Sequence, residues 1–237
     1  MSLTSHKWIA ILCFVVAMVI LLGGGVYMKK DLPPYPGKVV DSSGKLLFDK
    51  ANIIEGQNTY QRFGLMDQGA VWGHGSQRGP EFSAASLKLI ADATGEFFAR
   101  QDYQKSYASL GKLEKGLVDV KIAHELKPNR YDAKTDTLTL SAAQVEGLKR
   151  VQQHWDEVFS KGQIRFGFLP DTIKDPTHRQ ELSRFFFWTA WVASTARPGQ
   201  DYSYTNNWPP DNRVGNVAST DTYIYSVAGI LASLLVL

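Results

Sequence analysis

The chain has 237 residues, of which 44% are hydrophobic and 21% are charged, and its formal net charge is +3. The weak, dispersed charge forms no basic stripe, which argues against nucleic acid as a partner. The only cysteine, Cys13, lies in an apolar run, so the rest of the chain has no disulfide and no thiol ligand for a metal. No repeat of solenoid or propeller period is present.

The N-terminal apolar run extends from Trp8 to Met28 and contains no charged residue. At ~1.5 Å rise per residue it reaches ~30 Å, the thickness of a bilayer core. We therefore predict a transmembrane anchor at residues 1–30. A cleaved signal peptide is the alternative, but the run is longer than the usual ~7–15 residues and lacks a small-x-small site before Lys29. Lys7 on one side and Lys29 on the other leave the orientation open.

A second apolar run extends from Tyr223 to Leu237. It is shorter than the ~20 residues that a membrane span requires. It is either a short helix that packs into a soluble core or, as we favour, the start of a second transmembrane helix cut off at Leu237. The predicted domains are thus an anchor at 1–30, a domain at 31–218 and a truncated second transmembrane helix at 219–237. The chain would then be the N-terminal part of a longer protein.

Between the two runs the sequence predicts a mixed, mainly helical domain. Two short apolar runs around a Ser-Gly turn indicate a hairpin over residues 38–48, and residues 53–65 favour a short helix. Helical spacing over residues 82–107 predicts an apolar face of Leu89, Ala93, Phe97 and Phe98, with water-facing Ser83, Asp92 and Glu96.

A strand and a long helix are predicted next. Residues 137–140 alternate as in a strand, and Ser141 with Gln144 forms a capping box. The helix after Ser141 should end near Gly162 and bury Val145, Leu148, Val151, Trp155 and Phe159.

Residues 181–194 are the most apolar part of the domain and include five aromatic side chains. Two interpretations stay open at this point. The segment is either an ordinary central helix or a helix whose exposed apolar surface packs on a membrane or on another membrane domain.

Known catalytic and cofactor motifs are missing from the sequence: covalent haem attachment, zinc spacing, phosphate loops and nucleophile elbows do not occur. His124, His154 and His178 stand alone and are predicted to be surface residues. His74 differs because Gly73 and Gly75 bracket it, although a loop histidine that caps a carbonyl is the simpler interpretation.

A second dense segment runs from Arg197 to Pro210 and combines prolines, asparagines and aromatics. Asparagine side chains order turns and tryptophan anchors apolar contacts, so we predict a rigid docking loop.

Three sequence motifs, taken together, resemble the N-terminal part of quinol-dependent nitric oxide reductase. They are residues 55–61 (EGQNTYQ), residues 69–76 (GAVWGHGS) and residues 204–210 (YTNNWPP) with Val214-Gly215-Asn216. Their order matches, and so does the succession of first membrane helix, extracytoplasmic domain and Asn-Asn-Trp-Pro loop. The match is looser at residues 77–82. The family-motif and domain-docking residues are Trp72, Gly73, His74, Gly75, Tyr204, Asn206, Asn207, Trp208 and Pro209.

The resemblance implies a mainly α fold in which the domain is a cytochrome c-like domain that has lost its haem. It implies that haem b, a high-spin haem and a non-haem iron lie in a catalytic membrane domain absent from this chain, where quinol electrons reduce two NO to N2O. No catalytic, cofactor or metal residue is then expected here. The implied partners are the lipid bilayer, the catalytic membrane domain and, for the full enzyme, quinol. The implied location is the bacterial inner membrane, with a periplasmic domain.

The runner-up from another class is a membrane sensor, because a domain between two membrane helices is also the layout of chemoreceptors. Such a domain would offer a concave pocket with convergent polar groups.

Overall fold

The computed structural model describes residues 3–218 and 220–236; Leu237, where the second apolar run is predicted to be cut, lies outside them. The chain divides into two compact units, residues 1–34 and 35–237. Helices make up 62% of the structure, which confirms the mainly α prediction.

The first unit is built on one long helix, α1 (Leu3–Lys30). Its segment His6–Lys29 is the one described helix that is long and apolar enough to cross a membrane. Its described side chains are exposed, as the predicted anchor requires, because lipid tails are the environment that apolar side chains on all sides of a helix need.

The second unit contains six helices and six short strands among the described residues. The helices are α2 (Lys50–Arg62), α3 (Phe82–Tyr103), α4 (Lys112–Leu126), α5 (Ala142–Lys161), α6 (Pro176–Ser194) and α7 (Thr220–Val236). The strands are β1 (Lys38–Asp41), β2 (Leu46–Asp49), β3 (Ala70–Val71), β4 (His74–Gly75), β5 (Tyr131–Asp132) and β6 (Thr137–Leu140). Short 3-10 turns lie at Leu65–Asp67, Tyr107–Ser109, Ile164–Phe166 and Asn212–Val214.

The strands form a four-stranded sheet in the order β2-β1-β6-β5 and a separate β3-β4 hairpin. The predicted hairpin is confirmed as antiparallel β1 and β2, and the predicted strand is confirmed as β6. The parallel pairing of β1 with β6 joins residues about 100 positions apart and was not predictable from local pattern.

Two helices begin at reciprocal caps. Ser141 accepts from the Gln144 amide and receives the Gln144 side chain on its own amide, so the predicted capping box of α5 is confirmed, as is its end at Gly162. Helix α2 begins three residues before the predicted start, because Asp49 forms the same kind of box with Asn52. Gly64 follows α2 in a left-handed conformation that ends the helix region.

Helix α6 is the centre of the domain, which decides between the two interpretations of residues 181–194. It packs against α2, α3 and α5. Phe185, Phe186, Phe187, Trp188 and Trp191 are each at most 4% exposed. The alternative of an exposed docking helix is therefore wrong. Gly56 of α2 permits the closest approach, since a Cβ there would lie 2.3 Å from the Glu181 carbonyl oxygen.

The predicted face of α3 is corrected. The side chains of Leu89, Ala93, Phe97 and Phe98 are only partly buried, whereas the core face is formed by Leu87, Ile90, Ala91, Thr94 and Ala99. Ser83 is predicted to face water but is fully buried. Its hydroxyl accepts the backbone N–H of Trp72, which compensates for the loss of water.

Helix α7 contains the apolar stretch Thr222–Leu235. Its described large apolar side chains are exposed, for example Tyr225 at 77% and Leu235 at 88%. The alternative in which this segment packs into the soluble core is therefore wrong.

Candidate functional site

The Trp-Gly-His-Gly motif folds as a tight hairpin. Strands β3 and β4 pair Val71 with His74, so Trp72 and Gly73 form a two-residue turn. Both have positive φ, 51° and 78°, as the hairpin turns that match strand twist require. Gly75 is needed for another reason, because a Cβ there would lie 2.3 Å from the Gly69 carbonyl oxygen. The glycines on both sides of His74 therefore serve the turn and the close approach of backbone.

Trp72 anchors this hairpin on the core. Its indole Nε1–H donates to the Thr189 carbonyl over 2.9 Å, and its ring centroid lies 5.5 Å from that of Trp188. Both contacts are with helix α6. A tryptophan that buries its ring and satisfies its N–H fixes orientation as well as position.

The start of α3 holds the turn from the other side. The Glu81 carboxylate caps α3 by accepting from the Ala84 amide, and it also accepts from the Ser83 hydroxyl at 2.6 Å. The Gly73 amide lies 3.5 Å from the same carboxylate. Glu81 and Ser83 are site residues that sequence reasoning missed, because their role depends on where the distant turn lies.

His74 points away from this network. Its side chain is exposed, and within the described residues its ring has no hydrogen-bond partner. The simple interpretation that it caps a neighbouring carbonyl is therefore wrong. The other predicted surface histidines are exposed or half-exposed. Desolvation, with Arg150 nearby, lowers the pKa of His154.

The Asn-Asn-Trp-Pro motif folds into a loop that is closed by asparagine side chains, which we call the asparagine loop. Asn206 and Asn207 both have positive φ, 53° and 60°, a conformation that asparagine tolerates better than most residues. The Asn207 side chain accepts from the Ser203 amide at 3.0 Å and donates to the Val217 carbonyl at 2.8 Å. The Asn216 side chain donates to the carbonyls of Ala193 and Pro209, each at 2.9 Å.

Lys127 joins the two asparagines Asn207 and Asn216. Its Nζ donates to the Asn207 side-chain oxygen at 2.6 Å and to that of Asn216 at 2.7 Å. Burial lowers the pKa of Lys127 to about 8, and Asp201 opposes this only partly. We call Lys127, Asn207 and Asn216 the asparagine–lysine cluster. Nothing in the local sequence around Lys127 marks it, since its partners are 80 and 89 residues away.

Tyr204 secures the first half of the loop. Its ring centroid lies 6.1 Å from that of Trp191, and its hydroxyl accepts from the Asn129 amide group at 3.1 Å. Its carbonyl accepts from the Arg197 guanidinium at 2.7 Å. Burial raises the pKa of the Tyr204 hydroxyl, so it stays protonated.

The Trp-Gly-His-Gly and Asn-Asn-Trp-Pro motifs meet at Trp208. Its ring lies over the hairpin turn, so a Cβ at Gly73 would be 3.6 Å from ring atom Cζ2. The Thr205 hydroxyl donates to its carbonyl, and the bond between Trp208 and Pro209 is cis. Trp208 as a whole is 36% exposed, so within this chain only part of the residue is covered.

The predicted docking residues thus separate into two groups. Trp72, Tyr204, Asn207 and the half-buried Pro209 hold the loops in place, whereas Gly73, His74, Gly75, Asn206 and Trp208 are exposed. We call His74, Asn206 and Trp208 the Trp208 face. Among the described residues no group of three or more His, Cys, Asp or Glu side chains could hold a metal ion.

A groove of about 920 Å³ lies elsewhere, between α3 and α5. Several charged side chains line it, but Arg100 pairs with Glu96 and Lys149 with Glu146. Each of these two pairs satisfies its own charges, so neither is held free for a ligand.

Comparison with known proteins gives one family. Residues 36–210 match the family model of the NorB cytochrome c-like domain of nitric oxide reductase. No curated protein matches the chain. The matched segment covers most of the chain and includes the β3-β4 hairpin, most of the asparagine loop and the Trp208 ring between them. The chain belongs to the NorB family of nitric oxide reductases, and its residues 36–210 are the cytochrome c-like domain of that family.

Proposed function

We propose that this chain is the N-terminal anchor and extracytoplasmic domain of a quinol-dependent nitric oxide reductase of the bacterial inner membrane. In this proposal residues 1–30 anchor the chain, residues 31–218 form the periplasmic domain and residues 219–237 begin the second transmembrane helix. The family match, the apolar α1 and the exposed apolar side chains of α7 support it. The family match also favours a reductase over the sensor alternative.

The domain's role is to cap the catalytic membrane domain through the Trp208 face. The observation that carries this proposal is the contact of the Trp208 ring with the turn at Gly73. This contact joins two sequence motifs that are more than 100 residues apart. It leaves part of Trp208 exposed on a loop that is held in place by hydrogen bonds. A partly exposed aromatic on a well-ordered loop is typical of an interface anchor.

The chemistry belongs to the missing catalytic domain. There, two NO, two electrons and two protons would yield N2O and water, with haem b, a high-spin haem and a non-haem iron as cofactors. This chain contributes position, not ligands. Its single cysteine lies in α1, so the soluble domain has no cysteine pair for covalent haem attachment. Electrons are therefore proposed to enter from membrane quinol without passing through this domain.

Trp208→Ala in the full-length reductase tests the capping role, with Phe63→Ala as the matched control. Phe63 is 39% exposed, close to the 36% of Trp208, but its ring contacts His178 instead of the hairpin. We expect Trp208→Ala to lower the melting temperature of the full enzyme by an amount corresponding to ~2–4 kcal/mol, because the ring is buried at the domain contact.

Phe63→Ala should leave that melting temperature nearly unchanged. Equal effects of the two substitutions would contradict the capping role. The reductase assignment is tested separately: the full enzyme should consume NO with a reduced quinol as donor, whereas the 237-residue chain alone should not. NO consumption that requires a reduced soluble cytochrome, with no turnover on quinol, would contradict the quinol assignment.

A further inference from the structure

Helix α4 has apolar side chains on two opposite faces. Val118, Ile122 and Leu126 are at most 2% exposed and pack into the domain. At ~100° per residue the opposite face carries Leu113, Leu117 and Val120. These three side chains are 78%, 53% and 67% exposed. An apolar stripe directly opposite the buried face is not required by the fold of this domain.

The stripe has the spacing of a helix–helix seam. Leu113, Leu117, Val120 and the exposed His124 follow one another at steps of four, three and four residues. These are the steps between the a and d positions of a heptad. On one edge of the stripe Gly116 has no atom within 4 Å of where a Cβ would lie, so a second helix can approach closely.

The charges on α4 decide between a lipid surface and a protein helix as the occupant. The helix contains three lysines and three acidic residues, so its formal charge is zero with His124 neutral. Helices that bind anionic lipid surfaces instead carry an excess of Lys and Arg. We propose that α4 pairs with α4 of a second copy of this chain, in antiparallel orientation.

The antiparallel register is self-complementary. With Leu117 of one copy opposite Val120 of the other, Leu113 lies opposite His124, and Glu114 of each copy lies beside Lys121 of the other. A parallel pair would place Glu114 and Lys121 beside Gly116 and Ala123 and would gain no ion pair. Glu114 already binds Lys105 at 3.0 Å, and Lys121 binds Asp102 at 2.5 Å. The new contacts therefore extend two existing ion pairs into an alternating network.

One pair of helices buries less than the ~800 Å² per partner of a standard interface, so the contact is weak by itself. The apolar α1 compensates, because it confines both copies to one bilayer and raises their effective concentration. The pairing uses a surface that shares no residue with the Trp208 face, and it rests on the proposed function only in that α1 anchors both copies in the membrane.

Disulfide cross-linking of the whole chain in lipid nanodiscs tests the register. In a Cys13→Ser background, which removes the only native thiol, chains with Leu117→Cys and chains with Val120→Cys are mixed under mild oxidation. The mixed disulfide should form roughly 100-fold faster than in an Ile164→Cys control, because pairing holds the two thiols at high effective concentration. Ile164 is 93% exposed and lies outside α4.

Three outcomes would overturn the proposal. Cross-linking no faster than the control excludes α4 pairing, and a dominant disulfide between two Leu117→Cys chains excludes the antiparallel register. Slow labelling of Leu117→Cys by a water-soluble maleimide, without any cross-link, would identify lipid as the occupant. Because Leu117 is 53% exposed, these variants are expected to fold, and far-UV circular dichroism checks this.

Discussion

Helix α6 and the loop that follows it are both rich in aromatic residues, but they use them differently. The α6 rings Phe185 and Phe186 contact rings of α2 and α3, whereas Trp188 and Trp191 contact Trp72 and Tyr204. All four α6 side chains are nearly inaccessible to water. In the loop, Trp208 covers the hairpin turn with part of its ring and leaves 36% of its surface exposed. Aromatic density alone therefore does not distinguish a buried core from a partly exposed loop.

The support of the two regions differs as well. Helix α6 is held by ring contacts, such as the stacked pair of Phe82 and Phe186 with centroids 4.5 Å apart. The loop is held by hydrogen bonds from Asn207, Asn216 and Lys127. Apolar packing should therefore contribute most of the stability of α6. Hydrogen bonds of polar side chains should contribute most of the stability of the loop.

The largest expected effect is that of Phe186→Ala. Phe186 is fully buried, and its ring also lies 5.1 Å from that of Trp155. Removing it should lower the free energy of unfolding by about 3–5 kcal/mol through lost burial and a residual cavity. Chemical denaturation of the chain in detergent, followed by far-UV circular dichroism, measures this. A loss below about 1 kcal/mol would mean that α6 is not the core that its burial indicates.

Asn216→Ala should have the next largest effect. The substitution removes the acceptor of Lys127 and the donor to the carbonyls of Ala193 and Pro209. We expect a loss of about 1–3 kcal/mol, because buried polar groups are left without partners. Asn206→Gly is the matched control, since Asn206 is exposed, lies in the same loop and has a positive φ that glycine adopts freely. Similar losses for both variants would contradict the role of the cluster.

Local patterns predicted the elements whose signals are local. The capping box at Ser141, the hairpin of β1 and β2 and the long apolar helix α1 each depend on residues that are close in sequence. The buried position of α6 did not follow from its composition, because it depends on where α2, α3 and α5 pack. The face of α3 was misassigned for a similar reason, since Ser83 is buried by the distant turn at Trp72.

The two sequence motifs of the candidate site were predicted, but the contact between them was not. The Trp-Gly-His-Gly and Asn-Asn-Trp-Pro segments stand out in the sequence, yet the contact of Trp208 with Gly73 joins residues far apart. Lys127 was missed because a lysine before a proline is ordinary in a loop. Its importance arises only when Asn207 and Asn216 surround its ammonium group.

The pH dependence of stability sharpens the comparison further. Burial lowers the pKa of Lys127 from its usual 10.5 to about 8, so between these values the unfolded chain binds more protons than the folded chain. Stability should therefore rise with pH in this window. A neutral amine still has two N–H donors, enough for both asparagine oxygens.

The melting temperatures of the wild type and of Lys127→Met, compared from pH 7 to pH 10, measure this effect. The wild type should gain about 1 kcal/mol relative to the variant, after a discount for solvent screening. Lys149→Met, at an exposed lysine outside the asparagine–lysine cluster, is the control substitution. A relative loss of wild-type stability above pH 8 would mean that the cluster requires the charged ammonium.

Trp208→Ala should have the smallest effect on this chain. The ring is only partly covered and its main contact is the turn at Gly73, so its removal should cost about 1 kcal/mol or less. Its effect should grow in the full enzyme, where we propose that a second domain covers the exposed surface. The difference between the two melting-temperature shifts measures the docking energy of the ring. Equal melting-temperature shifts in the chain and in the full enzyme would contradict docking through Trp208. They would mean that Trp208, like Tyr204 and Asn207, only stabilises the loop itself.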